Sequence, residues 1–351
     1  METMTHTRRL SPKADDPVYC ARAAELVYVT DGEPGISRKK RGDAFRYFYR
    51  GRRVKDAATL KRIASLVIPP AWSEVWICRR ANGHLQATGL DSKSRKQYRY
   101  HPRWVALRGR TKFDRLRDFG LALPDMRKAL QADLSLPGLP MNKVMALLVS
   151  LMEQTHIRIG NDFYRRLYGS FGLATLQPKH VKLGGTGIRF VFTGKKGVSH
   201  DITIHNKKLA RIISRCREIP GKKLFQYYDG DHEPQAVHSE DINRYIGDIS
   251  GSQFTSKDFR TWAGTAEFIR EFTEGHFRGE EANELASLVE RVAESLGNTR
   301  DVCRKYYIHP AVLDAYERGT LEAAIRSISR ASAWMRREER VLLKLLTPEK
   351  R

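Results

Sequence analysis

Residues 297–310 read "GNTRDVCRKYYIHP", two adjacent tyrosines behind Arg300, Arg304 and Lys305. A tyrosine hydroxyl is a latent nucleophile; with a pKa near 10, only about one in a thousand is phenolate at neutral pH. Neighbouring cations favour the phenolate and also neutralise a phosphate that it could attack. Gly297 ends one helix, Thr299 is placed to N-cap the next, and Asp301 falls in its first turn, where the helix dipole favours an anion. Tyr306 and Tyr307 then lie about two turns into that helix on faces about 100° apart, so they cannot both address one site. Asn298 precedes Tyr307 by nine residues. On one continuous helix the two would differ by about 900°, opposite faces, and they converge only because Asn298 lies in the turn. Taken alone, the stretch leaves two packing tyrosines as the simpler reading.

Composition limits what could stand opposite a reactive tyrosine. Of 351 residues, 63 are Lys or Arg and 40 are Asp or Glu, giving a net charge of +23 and a pI near 10.0. The surface must carry a strong positive field, for which nucleic acid is the obvious polyanionic partner. A hydrophobic fraction of 41% supplies real cores, and no apolar run approaches the roughly 18 residues of a membrane span. A soluble chain of two or three domains is expected, at about 100–200 residues each. The opening "METMTHTRRLSPKADD" lacks an apolar h-region, so it reads as a flexible arm and not as a secretory signal. Cys20, Cys78, Cys216 and Cys303 are far apart and form no C-x-x-C pair. That argues against a zinc site or a disulfide framework and for a reducing, intracellular location, the cytoplasm and its nucleoid. The histidines are dispersed without an H-E-x-x-H set, and there is no P-loop, so neither a metal nor ATP is expected as cofactor.

The charge is clustered. Residues 38–56, "RKKRGDAFRYFYRGRRVKD", hold nine Lys or Arg against two Asp, with Phe45, Tyr47, Phe48 and Tyr49 interleaved. Such a stretch can hold phosphates while its aromatics anchor it to a core. Residues 79–110 again hold nine basic residues against one acidic. Their centre, "GLDSKSRKQYRYHP", reads as a strand ending at Asp91, a turn through Ser94 and a second strand from Lys96 to His101.

The elements that must position these groups fall into two regions. Before about residue 102 the chain is strand-rich, with "ELVYVT", "AFRYFYR", "EVWICRR", "HLQATGL" and "QYRYH" around one helical segment, "AATLKRIASLVI". Beyond it, apolar residues recur at helical spacing in "MNKVMALLVSLMEQTHIR", "NKKLARIISRCR", "TWAGTAEFIREFTE", "EEANELASLVERVAESLG" and "SAWMRREERVLLKLL". Residues 187–204, "GIRFVFTGKKGVSHDITI", interrupt this as two alternating strands around a Gly-Lys-Lys-Gly tip, a β-hairpin. "LPGLP" is an internal loop. Strand character gives way to helix within "HPRWVALRGR", so the expected division is a DNA-binding domain over 1–102 and a mainly helical domain over 103–351.

From "DSKSRKQYRYH" through Tyr307 the sequence resembles the type IB DNA topoisomerases of the compact poxvirus and bacterial kind. The resemblance implies an α+β fold: a small strand-rich N-terminal domain, and a larger mainly helical catalytic domain with a β-hairpin, of the tyrosine recombinase/topoisomerase IB type, closing around DNA. It implies a monomer that takes double-stranded DNA as substrate, no membrane association, and no cofactor. The family's nucleophile falls on Tyr307, with Tyr306 as a packing residue. Its first arginine falls on Arg158 of "HIRIGND", its hairpin lysine on Lys195 of "TGKKGVSH", and its second arginine on Arg260 of "SKDFRTW", preceded by Lys257. Asn298 stands where the poxvirus members have histidine. Asn can donate a neutral hydrogen bond to a phosphate oxygen but cannot supply a proton. On the same resemblance Gln97, Tyr98 and Tyr100 lie on a strand facing the major groove, and a DNA-facing helix after Arg158 carries Asn161 and Tyr164. Lys257 completes the DNA-binding set.

The implied chemistry is transesterification at phosphorus. Arg158 and Arg260 grip the nonbridging oxygens with planar forks, and Asn298 adds a donor. Lys195, crowded by like charge, protonates the departing 5′ oxygen. A 3′-phosphotyrosyl bond forms, the free 5′-OH strand rotates, and religation reverses the step. A tyrosine recombinase is the rival enzyme, but those proteins place His three residues before the second arginine, where this chain has Lys257, and their N-terminal domain is helical. A non-catalytic DNA-binding protein would explain the charge but not the ordered Arg, Lys, Arg, Asn, Tyr set.

Overall fold

The computed structural model describes residues 16–42, 44–185, 187–275 and 284–347. It divides into two compact units between Asp114 and Arg115. The expected N-terminal arm lies outside the described residues apart from Asp16. That residue caps the first helix, its carboxylate accepting from Val18 N at 2.8 Å.

In the first unit, alternating side chains build strands β1 (Ile36–Arg41), β2 (Ala44–Tyr49), β3 (Arg52–Arg53), β4 (Ser73–Ile77), β5 (Leu85–Leu90) and β6 (Lys96–Tyr100). They form one antiparallel sheet in the order β3-β2-β1-β4-β5-β6. Helices α1 (Pro17–Ala23), α2 (Ala57–Ser65) and α3 (Pro102–Asp114) complete the unit. Ile63 of α2 joins Ile36, Val75, Ile77 and Ala87 in the main core, walled by Tyr47, Tyr49 and Trp72. The division therefore comes after α3, because Trp104 and Leu107 pack into a cluster with Cys20, Ala21, Ala24 and Leu26. The expected strand "ELVYVT" does not form. Val27 makes a single bridge to Gly83, and the Val29 amide goes to the His84 ring nitrogen at 3.1 Å, which leaves no backbone ladder to extend. Within the basic run, Arg38 donates to the carbonyls of Ile68, Pro69 and Trp72 and stacks over Phe45 at 4.2 Å.

The second unit is mainly helical: α4 (Leu116–Asp133), α5 (Met141–Thr155), α6 (Asp162–Tyr168), α7 (Lys207–Arg217), α8 (Ser239–Ser250), α9 (Ser256–Gly275), α10 (Leu285–Leu296), α11 (Arg300–Tyr306), α12 (Pro310–Glu317), α13 (Leu321–Arg326) and α14 (Arg337–Leu345). Strands β7 (Val181–Gly184), β8 (Gly187–Thr193) and β9 (Ser199–His205) form an antiparallel sheet, and β10 (Gln226–Tyr228) pairs with β11 (Pro234–Ala236). Helix α5 is the central post. Apolar along most of its length, it is buried from Lys143 to Met152, with α4, α8 and α9 around it.

The C-terminal helix is locked to this frame by Glu339, which is fully buried. Its carboxylate accepts from Arg127 of α4 at 2.7 and 2.9 Å and from the Trp262 indole of α9 at 3.1 Å. Burial alone would raise its pKa, but Arg127 outweighs that and holds the carboxyl at about 2. All four cysteines are free and buried. Among the described residues no helix is long and apolar enough to cross a membrane.

Candidate active site

The site is built where three helix ends meet α9. Helix α5 stops at His156, whose left-handed conformation (φ 56°) turns the chain into the segment carrying Arg158. That segment is fixed by two backbone bonds, Leu173 N to the Arg158 carbonyl at 2.9 Å and Ala174 N to the Ile159 carbonyl at 2.7 Å. Helix α10 stops at Gly297, again left-handed (φ 57°), which a side chain would resist. Its turn delivers Asn298, so Arg158 Nη2 donates to Asn298 Oδ1 at 2.6 Å. This bond uses the amide oxygen and points the Asn298 amide nitrogen elsewhere, with the Leu296 carbonyl at 3.5 Å as its contact. The nitrogen is the donor left for a substrate oxygen.

Arg260 enters from α9 and is 6% exposed. Nη1 donates to the His156 carbonyl, Nη2 donates to the Leu296 carbonyl at 2.8 Å, and Nε is buried with no hydrogen-bond partner. The guanidinium is thus held by the last turns of α5 and α10 together. Burial, with Arg158 adding, pulls its pKa down to about 10, so it is still a cation at neutral pH. A buried cation held by two carbonyls and by the Tyr307 side chain, with its Nε N–H unpartnered and no carboxylate among these partners, can take an anion.

The Arg260 guanidinium lies 5.4 Å from the ring centre of Tyr307. Helix α11 ends at Tyr306, and Tyr307 is its C-cap. Tyr306, expected to pack, is 38% exposed and covered by the Lys305 ammonium, whereas Tyr307 is half-buried beside Arg260. The helix is one residue shorter than the tyrosine pair, so the break in backbone angle at Tyr307 turns its ring inward. Thr299 holds the cap position without a side-chain bond. Helix α9 seats Tyr307 through two further residues. Thr265 Oγ1 donates to the Tyr307 carbonyl at 2.9 Å. At Gly264, a Cβ would stand 3.0 Å from both Tyr307 Cβ and the Tyr307 carbonyl oxygen, so the close approach needs glycine.

Lys195 sits at the tip between β8 and β9. Its pKa is lowered, first by partial loss of water and then by Arg158, with Lys196 and Lys257 adding and Tyr307 opposing. The side chain keeps an accessible surface at the tip. Lys257, exposed in the first turn of α9, is one of those charges. Arg158, Lys195, Arg260, Asn298 and Tyr307 therefore converge in one place, from four separate segments of chain.

The expected DNA contacts fall out less uniformly. On β6, Tyr98 and Tyr100 stack at 5.9 Å on one face, 47% and 42% exposed. Gln97 does not share that face: strand alternation turns it with Arg99 to the other side, where its amide donates to Asp91 Oδ2 at 2.9 Å. Tyr164 is exposed on α6, but Asn161 is that helix's N-cap, its side chain accepting from Phe163 N at 2.7 Å. Among the described residues no cluster of His, Cys, Asp or Glu could hold a metal ion.

The profile of the eukaryotic DNA topoisomerase I catalytic core matches residues 95–334, a span that contains all five converging residues, and that of the bacterial DNA topoisomerase IB N-terminal domain matches residues 44–91. The DNA topoisomerase 1B of Acanthamoeba polyphaga mimivirus is 34% identical over 294 residues, covering 81% of this chain and 88% of the viral protein. The chain belongs to the type IB DNA topoisomerases. More distant relatives are the DNA topoisomerase 1B of vaccinia virus (strain Copenhagen) and the DNA topoisomerase I of monkeypox virus. Each is 24% identical over 234 residues, covering 64% of this chain and 70% of the viral protein.

Sequence reasoning about this topoisomerase missed His156, Gly264 and Thr265. They serve the site through a carbonyl, an absent side chain and a backbone contact. Their one visible signal was position: Gly264 and Thr265 lie one turn beyond Arg260 on an apolar-periodic segment.

Proposed function

We propose that this topoisomerase relaxes supercoiled duplex DNA by transient cleavage of one strand, with Tyr307 as nucleophile. The Tyr307 hydroxyl oxygen attacks phosphorus and loses its proton to solvent. The P–O5′ bond breaks, and Lys195 gives a proton to the leaving oxygen. A 3′-phosphotyrosyl bond holds one end while the 5′-OH strand rotates, and religation runs the step backward. Because one phosphodiester replaces another, the cycle needs no ATP. Arg158, Arg260 and the Asn298 amide nitrogen meet the charge on the nonbridging oxygens, and Lys257 and the exposed faces of β6 and α6 hold the duplex, on which the chain closes as a monomer.

The observation that carries this reading is Arg260, a buried guanidinium bonded to two helix-end carbonyls beside the Tyr307 ring, its Nε unpartnered. No carboxylate is among the groups that bond it, and it stands beside the ring proposed to attack. The relatives' topoisomerase names and the lysine at position 257 favour this reading over a tyrosine recombinase. The test is relaxation of a negatively supercoiled plasmid without ATP or metal, with the covalent adduct trapped and mapped. An adduct on a residue other than Tyr307, or on the 5′ end of the break, overturns the assignment.

A further inference from the structure

His200 has no part in the mechanism above, yet it touches the neighbours of two residues that do. It stands on β9, and its ring stacks on Phe192 of β8 at 4.8 Å and 18°. A Cβ built on Gly194, the residue before Lys195, would fall 2.5 Å from His200 Nε2. A Cβ built on Gly297, the residue before Asn298, would fall 3.0 Å from His200 Cε1 and 3.7 Å from Val198 Cγ1. The ring therefore fills a slot whose two walls are bare backbone. One wall is the base of the Lys195 tip and the other is the turn that delivers Asn298. Gly194 is there because the ring is there: its backbone is extended (φ −92°, ψ −165°), so only the contact forbids a side chain, whereas Gly297 is already required by its left-handed backbone.

We infer that His200 is a positioning residue, a spacer that sets where the Lys195 tip stands against the Asn298 turn and hence against the scissile phosphate. This rests on the roles proposed for Lys195 and Tyr307. Burial lowers the His200 pKa, and Arg158 and Arg260 add to it, so at neutral pH the ring sits beside two arginines without contributing a third positive charge. The contacts are made by ring atoms packed on carbon and backbone, so shape is what the site uses. A misplaced tip harms a proton transfer more than it harms charge stabilisation, because the transfer needs hydrogen-bond reach.

The test is single-turnover cleavage of a duplex oligonucleotide by the full chain, with oxygen or sulfur at the bridging 5′ position. A thiolate leaves without needing a proton, so sulfur bypasses whatever Lys195 supplies. His200→Ala is expected to cleave the oxygen substrate about 10–100-fold more slowly, the scale of a small misplacement. With sulfur it should come within about threefold of the unsubstituted enzyme, since the proton transfer no longer matters. His200→Phe should keep the spacer and most of the rate. Gly194→Ala pushes on the ring from the other side and should reproduce the oxygen-specific defect, which covers the case in which His200→Ala does not fold.

Normal oxygen cleavage by both His200→Ala and Gly194→Ala would overturn the inference. So would a defect as large with sulfur as with oxygen, or a His200→Phe enzyme as slow as His200→Ala. Lys195→Ala run alongside separates the two claims. If sulfur fails to rescue Lys195→Ala, the proposed role of Lys195 falls and the spacer falls with it. If sulfur rescues Lys195→Ala but not His200→Ala, only the spacer falls.

Discussion

The face of β6 that carries Tyr98 and Tyr100 and the cluster around Tyr307 both present aromatic rings beside cations, and they are built on opposite terms. The two β6 tyrosines lean on each other and stand nearly half exposed on a sheet face. Tyr307 is half-buried, its carbonyl held by Thr265 and its ring set beside an arginine that two helix ends grip. A surface that only binds can keep its groups mobile and hydrated, since each contact is small and replaceable. A site that must stabilise charge during reaction fixes its donors beforehand, which removes reorganisation at the moment of reaction.

The largest break in that comparison is Tyr307→Phe. It should abolish relaxation and adduct formation while leaving noncovalent DNA affinity almost unchanged, since it removes the proposed nucleophile and no charge. Tyr306→Phe should keep most activity. Plasmid relaxation alongside a binding titration reads both, and exchanged phenotypes would place the nucleophile on the exposed ring.

Next in size is Asn298. Asn298→Ala should slow cleavage by about 10²–10³-fold, the cost typical of one lost transition-state donor. It also strips Arg158 Nη2 of its 2.6 Å acceptor. Asn298→His should retain activity, because imidazole can donate to the same oxygen. A folded but inactive His variant would mean that the Arg158–Asn298 bond, which imidazole need not reproduce, is what the site requires.

Much of this was readable beforehand where local pattern and function coincide. The β8–β9 hairpin, α5, the break at Gly297 and the separation of Tyr306 from Tyr307 all follow from periodicity and a glycine. Two things were not readable. Helix α11 ends between the two tyrosines, and their burial depends on that one residue, finer than any periodic signal resolves. The grip on Arg260 comes from carbonyls at His156 and Leu296, and a carbonyl is the same in every residue. The position of Gln97, by contrast, was available from strand alternation alone, because residues 97 and 98 cannot share a face.

Acid should act on the frame of the Tyr307 cluster with a smaller effect. Burial brings the His156 pKa down to about 4, and its ring lies 3.1 Å from Ser295 Oγ next to the Asn298 turn. With the folded pKa below the unfolded value near 6.5, the unfolded chain binds more protons between them, so stability is full above 6.5 and falls as pH drops toward 4. The loss is about 3 kcal/mol once pH is below 4, of which about 2 kcal/mol falls between pH 7 and 5. The Glu339 carboxyl, held at about 2, adds its own loss only below the ordinary carboxylate range. Denaturant melts at pH 7 and 5 should show the fall, and His156→Gln should flatten it; an unchanged slope in that variant would assign the effect to another histidine.

The smallest expected effect tests the binding side. Tyr98→Ala with Tyr100→Ala removes two exposed rings and no cation. DNA affinity should therefore drop about tenfold while the slope of log K against log salt stays put, since that slope counts neutralised phosphates at about 0.9 each. Cleavage within a complex already formed should be nearly normal, because the proposed role of the rings is to hold DNA and not to take part in the chemistry. Gln97→Ala should do less still. Its amide is engaged by Asp91 on the opposite face, so the free protein does not offer it to a ligand beside the tyrosines. A loss of affinity from Gln97→Ala equal to that of the tyrosine pair would show that DNA draws the side chain away from Asp91.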